Sequence, residues 1–474
     1  MTHTKEEDGL RFDGRMSDLE ALLWRLEEHD PALRSTITVL VTFDQRPDPV
    51  AVARRVDRLS RRLPRLRDRV AAGLLPTVPP RWEPDPEFDM EHHLIRVAAP
   101  SPVSLPELLR AAEPLAAGPF ERDRPPWQML LMEGPGGESD GYPGGGAALV
   151  VKLHHTFTDG LGAVKLAAQL FDLERHPPPD GALPRLPEPD RAPRLGRMWD
   201  DLAFEAGRSV ELARRVLPWA TTAIRDAVVD PQPRAEATLE LAHALQSLAR
   251  AASRPASPIL AGRSAGARLG AMAFPLSDLR QAARRAGGTV NDVFLAAALG
   301  GLRLYHAKRG SHPASLRLGI PVSTRGGGTE ADMRNQFAPT LVHAPLQLLD
   351  PVERIRLLHE LVIAACHPPV LDLLEQATGM LRRIPGSMRL ITGLLDATDM
   401  MASNVPGSPV DLYLGGARVE QIVPIGPRGG AGLNLTLLSH VDTVHIGVNM
   451  DPVSISDPGV LIDCLRAGFD ETLG

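Results

Sequence analysis

Two adjacent histidines, an aspartate and a glycine form the stretch of this sequence best suited to chemistry. His154 and His155 end an apolar run that starts at Ala147, and Asp159 and Gly160 follow after three spacer residues. An imidazole with an ordinary pKa of about 6.5 can accept and return a proton near neutral pH. Glycine leaves the backbone free to approach a substrate closely. The stretch therefore predicts a general base where a loop opens.

The elements around this stretch must present the histidines rigidly. The run from Ala147 to Leu153 is aliphatic and predicts a buried strand. Successive side chains on a strand point to opposite faces, so only one histidine faces a given cavity. Three interpretations follow: His155 is a general base, the His-His-Asp set binds a metal, or both histidines are structural. We favour the first, because the histidines diverge and no third close metal ligand is visible.

Length and composition limit the class of protein. At 474 residues the chain exceeds the size of one compact core, so two domains are expected. Hydrophobic residues make up 43% and charged residues 23%, which is typical of a soluble globular protein. The net charge of -6 provides no positive field for nucleic acid. Cys366 and Cys464 form neither a disulfide framework nor a metal cluster, as expected in a reducing compartment.

The N-terminus and the hydropathy pattern predict the location of the protein. The first eight residues are polar and acidic, unlike a signal peptide. No window approaches 18 uninterrupted apolar residues, so a membrane-spanning helix is not expected. We therefore expect a cytoplasmic protein, and peripheral contact with the inner membrane or with lipid inclusions stays compatible with the sequence.

Strands and helices alternate irregularly on both sides of a proline-rich segment, which predicts a mixed α/β fold. Residues 176–195 contain seven prolines and predict a linker, because proline continues neither a helix nor a strand ladder. The predicted organisation is a disordered tail at 1–15, a first domain with the histidine motif at 16–175, a linker with connecting helices at 176–260, and a second domain at 261–474.

Hydrophobic periodicity and capping signals predict the individual elements. The predicted helices begin at Ser17 and otherwise cover 49–70, 104–115, 162–174, 198–228, 235–252, 277–286, 293–305, 351–365 and 457–472. The predicted strands cover 35–43, 90–97, 128–132, 147–153, 269–274, 316–323, 337–344, 418–423, 432–439 and 443–449. Residues 325–328 are expected to form a turn and 403–407 a loop.

Three other patterns suggest chemistry but lack its structural context. Residues 262–266 fit the nucleophile pattern Gly-x-Ser-x-Gly, yet prolines and polar residues stand where a strand and a helix are required. His92 and His93 form a second histidine pair without a following Asp-Gly. The glycine-rich stretch 134–146 is not followed by the lysine and serine or threonine of a phosphate-binding loop. None of the three is expected to be catalytic.

The sequence HHTFTDG at 154–160 resembles the HHxxxDG motif of CoA-dependent acyltransferases and condensation domains. Further blocks resemble the bacterial wax ester synthase/diacylglycerol acyltransferase family. They are PW at 126–127, ND at 291–292, PVSTR at 321–325, NQF at 335–337, SNVPG at 403–407 and GLNLT at 432–436. Two residues depart from the family pattern: Ser408 stands where the family usually has proline, and Arg334 stands where glycine is common. These departures bear on the preferred acyl chain length and acceptor more than on the type of reaction.

This resemblance implies two chloramphenicol-acetyltransferase-like domains with a tunnel between them. It implies acyl transfer from acyl-CoA to diacylglycerol or a long-chain alcohol, with no cofactor besides the acyl-CoA co-substrate. His155 would take the acceptor hydroxyl proton and return it to the CoA thiolate, without an acyl-enzyme. His154, Asp159 and Gly160 complete the catalytic motif by this resemblance, and Arg325 is a candidate partner for Asp159.

The same resemblance implies that residues in the second half of the chain support the active site. Asn291 and Asp292 would provide polar support for the reacting centre, and the structural alternative for Asn291 is a helix cap. Ser403 and Asn404 would shape the pocket or its loop, and the structural alternative is a turn.

Two other functions stay open at this point. A condensation enzyme that takes its acyl group from a carrier protein shares the HHxxxDG chemistry, and the SNVPG block argues against it. A lipid-binding protein without turnover, located on storage granules, is the other alternative. The complete set of His155, Asp159 and Gly160 argues against that one.

Overall fold

A computed structural model describes residues 5–7, 10–12, 14–73, 75, 77–101, 103–134, 146–157, 160–178, 181–186, 196–208, 210, 214, 257–323, 337–365 and 387–474. The α-helices are α1 (Asp18–His29), α2 (Pro49–Arg62), α3 (Met90–His93), α4 (Leu105–Ala117), α5 (Gly160–Leu170), α6 (Leu276–Ala286), α7 (Val290–Lys308), α8 (Pro351–Ala365), α9 (Ser387–Asp396) and α10 (Pro458–Leu473), and residues 196–208 are also helical.

The strands are β1 (Lys5–Glu7), β2 (Leu10–Phe12), β3 (Thr36–Phe43), β4 (Asp68–Ala71), β5 (Arg81–Pro84), β6 (Leu94–Ala98), β7 (Trp127–Glu133), β8 (Ala147–His154), β9 (Arg268–Pro275), β10 (Ser315–Ser323), β11 (Phe337–Pro345), β12 (Met400–Val405), β13 (Tyr413–Leu414), β14 (Ala417–Ile425), β15 (Leu433–His440) and β16 (Thr443–Met450).

The strand that carries the histidines lies inside a six-stranded sheet with the order β13-β14-β3-β8-β7-β6. β8 pairs antiparallel with β3 and β7, and Leu153 lies opposite Ile37 on one side and Trp127 on the other. Helices α2 and α5 cover one face of this sheet and α4 covers the other. A strand buried on both faces needs an almost continuous aliphatic sequence, which is what the sequence of β8 provides.

A second six-stranded sheet has the order β11-β10-β12-β15-β16-β9. Its helices α7 and α10 approach so closely that a Cβ on Gly468 would lie 2.2 Å from the backbone nitrogen of Gly301. Glycine is needed here for close packing of two helices. The two sheets with their helices confirm the predicted mixed α/β fold.

Two strands from the C-terminal part of the chain, β13 and β14, belong to the first sheet. β14 pairs antiparallel with β3, with Ile425 opposite Thr38. Strand β14 also packs against β16 of the second sheet. A Cβ on Gly447 of β16 would lie 1.7 Å from the carbonyl oxygen of Pro424 in β14. A boundary at residue 261 therefore does not separate the two sheets, because the chain returns to the first one.

Capping signals in the sequence located helix starts correctly. Ser17 Oγ accepts a hydrogen bond from the N–H of Glu20 at 3.2 Å, and the Glu20 carboxylate accepts one from the N–H of Ser17 at 2.8 Å. Thr289 and Asp292 form the equivalent box at the start of α7. The prediction of a helix at 351–365 is confirmed at both ends.

Two predicted elements are wrong in part. The helix predicted over 49–70 ends at Arg62, because Pro64 cannot continue it; a 3₁₀ turn (Pro64–Arg67) and β4 follow. The strand predicted over 90–97 begins instead with the single turn α3, capped by the Asp89 side chain. Strand β6 starts only at Leu94.

The remaining predictions concern the N-terminal tail, two segments outside the described residues and the absence of a membrane-spanning helix. β1 and β2 pair with each other within the segment predicted to be a disordered tail. The helix predicted at 235–252 and the turn at 325–328 lie outside the described residues. Among the helices that the structure describes, none combines the length and the hydropathy needed to cross a bilayer.

Candidate active site

The end of β8 is fixed by backbone hydrogen bonds on both sides. His154 N–H donates to the Pro126 carbonyl oxygen at 3.0 Å, and His155 N–H donates to the Ser35 carbonyl oxygen at 2.7 Å. Phe157 N–H then donates to the His154 carbonyl oxygen at 2.9 Å and turns the chain away from the strand. Both histidines therefore sit on a rigid support, as precise catalysis requires.

His154 is fully buried, and all its ring nitrogens have partners. Its Nδ1 accepts from Thr156 N–H at 3.1 Å and lies 2.8 Å from Thr156 Oγ1. A backbone N–H can only donate, so Nδ1 carries no proton and the neutral ring is protonated at Nε2. Nε2–H donates to Glu27 Oε2 at 3.1 Å. The tautomer of His154 thus follows from its contacts.

The charges around His154 agree with a neutral ring beside a carboxylate. Burial lowers the pKa of His154, and the hydrogen bond to Glu27 offsets only part of this effect. Burial acts to raise the pKa of Glu27, but the hydrogen bond from His154 and the charge of Arg122 outweigh it, so the pKa is lowered. Arg122 Nη2 lies 3.4 Å from Glu27 Oε1. His154 is consequently a poor candidate for a proton carrier and a good one for a positioning residue.

Lys152 shares the face of β8 that bears His154. Its Nζ donates to the carbonyl oxygens of Gly118 at 3.0 Å and Pro119 at 3.1 Å, and it lies 4.2 Å from the centre of the Phe120 ring. Burial lowers the pKa of Lys152 to about 8. A second buried polar side chain, Lys152, therefore lies beside His154 on β8.

His155 is the first residue after β8 and lies in the turn. Its side chain is half-buried, and its Nδ1 is shielded from solvent. Leu153 and Phe157, on either side of it, belong to the apolar core under α2 and α5. Gly160 begins α5. Asp159 lies outside the described residues.

Asn291 and Asp292, which were predicted to support the site, lie in the first turn of helix α7 in the second half of the chain. Asp292 accepts from Thr289 N–H at 2.7 Å and lies 2.8 Å from His359 Nδ1, so its contacts are those of a helix cap. Asn291 is the second residue of α7 and is half-buried. These contacts of Asp292 lie within the second half of the chain. Arg325 lies outside the described residues.

The SNVPG block is not the loop that the sequence predicted. Ser403 and Asn404 lie in β12 and pair in parallel register with Thr436 and Leu437 of β15. Asn404 is exposed and Ser403 half-buried. A Cβ on Gly407 would lie only 1.6 Å from the Ser439 carbonyl oxygen. The block was misassigned because its proline and glycine follow the strand and do not interrupt it.

The other chemical patterns have structural roles. Ser264, in the Gly-x-Ser-x-Gly sequence, donates from its N–H and Oγ to Asp451 at 2.7 and 3.0 Å. A strand follows this serine where the nucleophile motif requires a helix. In the part of the chain that the structure describes, no group of three or more His, Cys, Asp or Glu residues has the arrangement of a metal site.

Comparison with known proteins adds the family. The model of the wax ester synthase/diacylglycerol acyltransferase catalytic domain matches residues 16–294, and that of the C-terminal domain of the same family matches 333–472. A putative diacylglycerol O-acyltransferase of Mycobacterium tuberculosis is 33% identical over 468 residues, covering 98% of this chain and 92% of the relative. The chain belongs to the wax ester synthase/diacylglycerol acyltransferase family. It is therefore an acyltransferase.

Solved structures agree on the fold. The wax ester synthase/diacylglycerol acyltransferase from Marinobacter aquaeolei VT8 superposes with a TM-score of 0.61 at 20% identity, covering 97% of this chain and 98% of that one. The first condensation domain of the calcium-dependent antibiotic synthetase superposes with a TM-score of 0.60 at 15% identity, covering 99% and 96%. These likenesses support two domains of chloramphenicol-acetyltransferase type.

Glu27 is the site residue that the sequence did not identify. It lies 127 positions before its partner His154, on helix α1, which the sequence predicted from its apolar face alone. One signal in the sequence could have indicated that Glu27 is buried. It follows Trp24 by three residues, and residues at that spacing share a helix face. Trp24 indeed packs edge-on against the His154 ring at 4.9 Å.

Proposed function

We propose that this family member transfers a fatty acyl group from acyl-CoA to the hydroxyl of diacylglycerol or of a long-chain alcohol, with His155 as the general base. The observation that supports it best is the division between the two histidines. His154 is held as a neutral donor by Glu27 and Thr156, whereas His155 is the first residue after the strand and is only half-buried. We therefore assign the proton transfer to His155 and a positioning role to His154.

The reaction proceeds by direct transfer. The acceptor hydroxyl gives its proton to His155 while its oxygen attacks the thioester carbonyl carbon, and a C–O bond forms. The tetrahedral intermediate collapses as the C–S bond breaks, and His155 returns the proton to the leaving sulfur. The products are an ester and free CoA. Proton transfer of this kind contributes about 10²–10⁴-fold, and positioning and dipoles supply the rest.

The remaining motif residues act on His155 indirectly. Glu27 and His154 fix the end of β8 and the turn after it, so that the His155 ring has one orientation. Asp159 shapes the loop, with Arg325 as its proposed partner. No cofactor takes part besides acyl-CoA, since a single imidazole can carry the one proton that moves.

The proposed acceptors dissolve in lipid and not in water. We therefore also propose peripheral contact with a membrane or a lipid inclusion, where such acceptors collect. Exposed apolar side chains such as Trp199, which is 67% exposed, are suited to that contact. Sedimentation with vesicles that contain diacylglycerol tests it, and protein left in the supernatant would contradict it.

A product assay tests the reaction. Purified protein receives palmitoyl-CoA with hexadecanol, with dioleoylglycerol, or with neither, and both free CoA and the lipid product are measured. CoA release should require an acceptor, match the ester formed, and disappear in His155→Ala. The matched control is His92→Ala, from the other histidine pair, and it should leave the rate unchanged.

Other outcomes identify the competing functions. Turnover with an acyl-carrier protein but none with acyl-CoA would replace the proposal by the condensation-type reaction. Lipid binding without any turnover would replace it by a non-catalytic role. Full activity of His155→Ala would leave the reaction standing and remove the proposed base.

A further inference from the structure

The segment that joins α4 to β7 wraps around the end of the histidine strand, and we call its residues 118–126 the collar. At its start, Gly118 caps the C-terminus of α4. Further along, the Phe120 ring packs edge-on against the His154 ring, with 5.8 Å between their centres. At its end, the Pro126 carbonyl oxygen accepts a hydrogen bond from His154 N–H at 3.0 Å. The collar therefore contacts both the ring and the backbone of His154.

Arg122, also in the collar, connects it to α1. Its guanidinium carbon lies 4.0 Å from the centre of the Trp24 ring, and its Nη2 lies 3.4 Å from Glu27 Oε1. Trp24 and Glu27 are the residues of α1 that contact the His154 ring. His154 thus touches one aromatic ring from the collar and one from α1, so its position depends on where the collar lies.

Lys152 holds the start of the collar. Its side chain is buried on β8, and its ammonium group has three N–H donors. It donates to the carbonyl oxygens of Gly118 at 3.0 Å and Pro119 at 3.1 Å, and its Nζ lies 4.2 Å from the centre of the Phe120 ring, within cation–π distance. A cation is also favoured at a helix C-terminus, where the carbonyl groups carry partial negative charge. The contacts of the ammonium group are therefore directed at the collar.

A charged side chain is not needed to fill this position. The two preceding residues on the same face of β8, Ala148 and Val150, are aliphatic and fully buried. Removing an ammonium group from water costs free energy that an aliphatic side chain of similar length would not cost. Burial accordingly lowers the pKa of Lys152 to about 8, which still leaves the group mainly charged at neutral pH. The charge of Lys152 thus indicates a role besides packing.

We propose that Lys152 is a positioning residue for acyl transfer, whose ammonium group fixes the collar against His154 and thereby sets the direction of the His155 ring. This inference rests on the proposed function, because the direction of that ring matters only if His155 reacts. The connection is short, since the collar binds the backbone of His154 and His155 is the next residue. A displacement of about 1 Å at a reacting group can cost about 10²-fold in rate.

Lys152→Met tests the charge, because methionine keeps the apolar stem and lacks the ammonium group. For palmitoyl-CoA and hexadecanol, kcat per folded enzyme should fall about ten- to hundredfold, with both KM values within about twofold of the wild type. The matched control is Arg354→Met. Arg354 is also buried and donates to backbone carbonyl oxygens, those of Ala296 at 3.0 Å and Leu349 at 2.9 Å, but it lies in the second half of the chain.

The control separates positioning from stability. Arg354→Met should lower the unfolding midpoint and leave kcat per folded enzyme unchanged. Equal losses of kcat in Lys152→Met and Arg354→Met would overturn the inference, as would a loss in Lys152→Met that appears in KM alone.

A double-mutant cycle tests the route through the collar. Phe120→Leu removes the ring that contacts both Lys152 and His154, and it should also lower kcat. If Lys152 acts through this ring, the double variant should lose about as much kcat as the more impaired single variant. Losses that multiply, or a Phe120→Leu variant with wild-type kcat, would contradict the route.

The pH dependence of kcat provides a readout that a merely structural role would not change. The charged groups that act on Lys152 or on its neighbour His154 are Glu27, Arg34 and Arg122. The pKa values of Glu27 and His154 are both lowered, so neither changes its charge near pH 8. Wild-type kcat should decline as the pH rises through about 8, where Lys152 loses its charge. Lys152→Met should lack this decline, and the same alkaline decline in both proteins would contradict the proposal.

A nuclear magnetic resonance experiment distinguishes failure of this inference from failure of the proposed function. If the wild-type protein transfers no acyl group, the proposed function fails, and the role of Lys152 is read from the full chain labelled with ¹⁵N-histidine. The ring signals of His154 are assigned with His154→Gln. Lys152→Met should shift or broaden these signals, whereas Arg354→Met should not. Unchanged His154 signals in Lys152→Met would overturn the inference, whether or not the wild-type protein is active.

Discussion

The molecule contains two histidine pairs beside the first sheet, next to the strands that flank β7. His92 and His93 precede β6, and His154 and His155 end at and follow β8. In each pair one histidine is buried and has a lowered pKa. His93 is stacked between Phe88 and Trp127, and its Nδ1 lies 2.7 Å from the Trp127 carbonyl oxygen.

The pairs differ in what surrounds them. The buried ring of His93 has a backbone carbonyl as partner, and its neighbour His92 lies at the surface, 3.3 Å from Glu121. The buried ring of His154 faces the buried carboxylate of Glu27, and its neighbour His155 follows a central strand. Two histidines in sequence are therefore not a site in themselves. The position on the strand and a buried carboxylate make the difference.

The largest effect should come from removing the proposed base. His155→Ala should lower kcat/KM by about 10²–10⁴-fold, because general acid–base transfer is lost. The unfolding midpoint should change little, since the side chain is only half-buried. Steady-state kinetics and a thermal melt on the same preparation measure both. A loss of activity that merely follows a loss of folded protein would contradict a chemical role.

The next largest effect should come from the carboxylate that distinguishes the two pairs. Glu27→Gln removes the charged acceptor of His154 Nε2–H and should lower the free energy of unfolding by about 1–3 kcal/mol. It should also lower kcat about tenfold with KM for both substrates unchanged, because the orientation of His155 is disturbed after binding. Glu28→Gln is the control, as Glu28 is exposed. Equal behaviour of the two variants would remove Glu27 from the site.

The buried member of the other pair should affect stability against acid and not activity. Burial lowers the pKa of His93 to about 4, against about 6.5 in the unfolded chain. Between these values the unfolded state binds the proton and the folded state does not, so the free energy of unfolding falls as the pH is lowered from 6.5 to 4, by up to about 1.4 kcal/mol per pH unit.

His93→Gln keeps a donor for the Trp127 carbonyl oxygen and has no such titration. Its free energy of unfolding should therefore fall less steeply below pH 6.5, as measured by urea titration at several pH values. Part of the acid dependence should persist, because burial also lowers the pKa of His445 to about 4. Identical slopes in His93→Gln and the wild-type protein would show that His93 takes up its proton without a cost to folding.

The smallest effect should come from the exposed member of that pair. His92→Ala removes a partly exposed contact with Glu121, which should be worth less than about 0.5 kcal/mol. Both kcat/KM and the unfolding midpoint should match the wild-type values. A tenfold loss of activity would mean that the two pairs are functionally related, against the comparison above.

Local signals in the sequence were sufficient for much of the fold. The aliphatic run of β8, the capping residues Ser17 and Thr289, and the apolar pattern of α7 predicted elements that the structure contains. Strand alternation predicted different surroundings for the two histidines, and the structure buries His154 fully and His155 only in part. These features depend on neighbours in sequence, so periodicity and capping rules capture them.

Long-range contacts were beyond such rules. The partnership of Glu27 with His154 and the return of β14 to the first sheet join residues far apart in sequence. The role of the SNVPG block was also hidden, because the close approach of Gly407 to Ser439 is a tertiary contact. The pairing of Asp159 with Arg325 stays a prediction.

Chemical rescue tests the central claim, that His155 carries the proton, most directly. The rate of CoA release by His155→Ala is measured with palmitoyl-CoA and hexadecanol as imidazole is added at several pH values. We expect a rate near background without imidazole that rises with the concentration of the neutral imidazole form. A residual rate that does not respond to imidazole and keeps the pH dependence of the wild-type enzyme would mean that another group is the base.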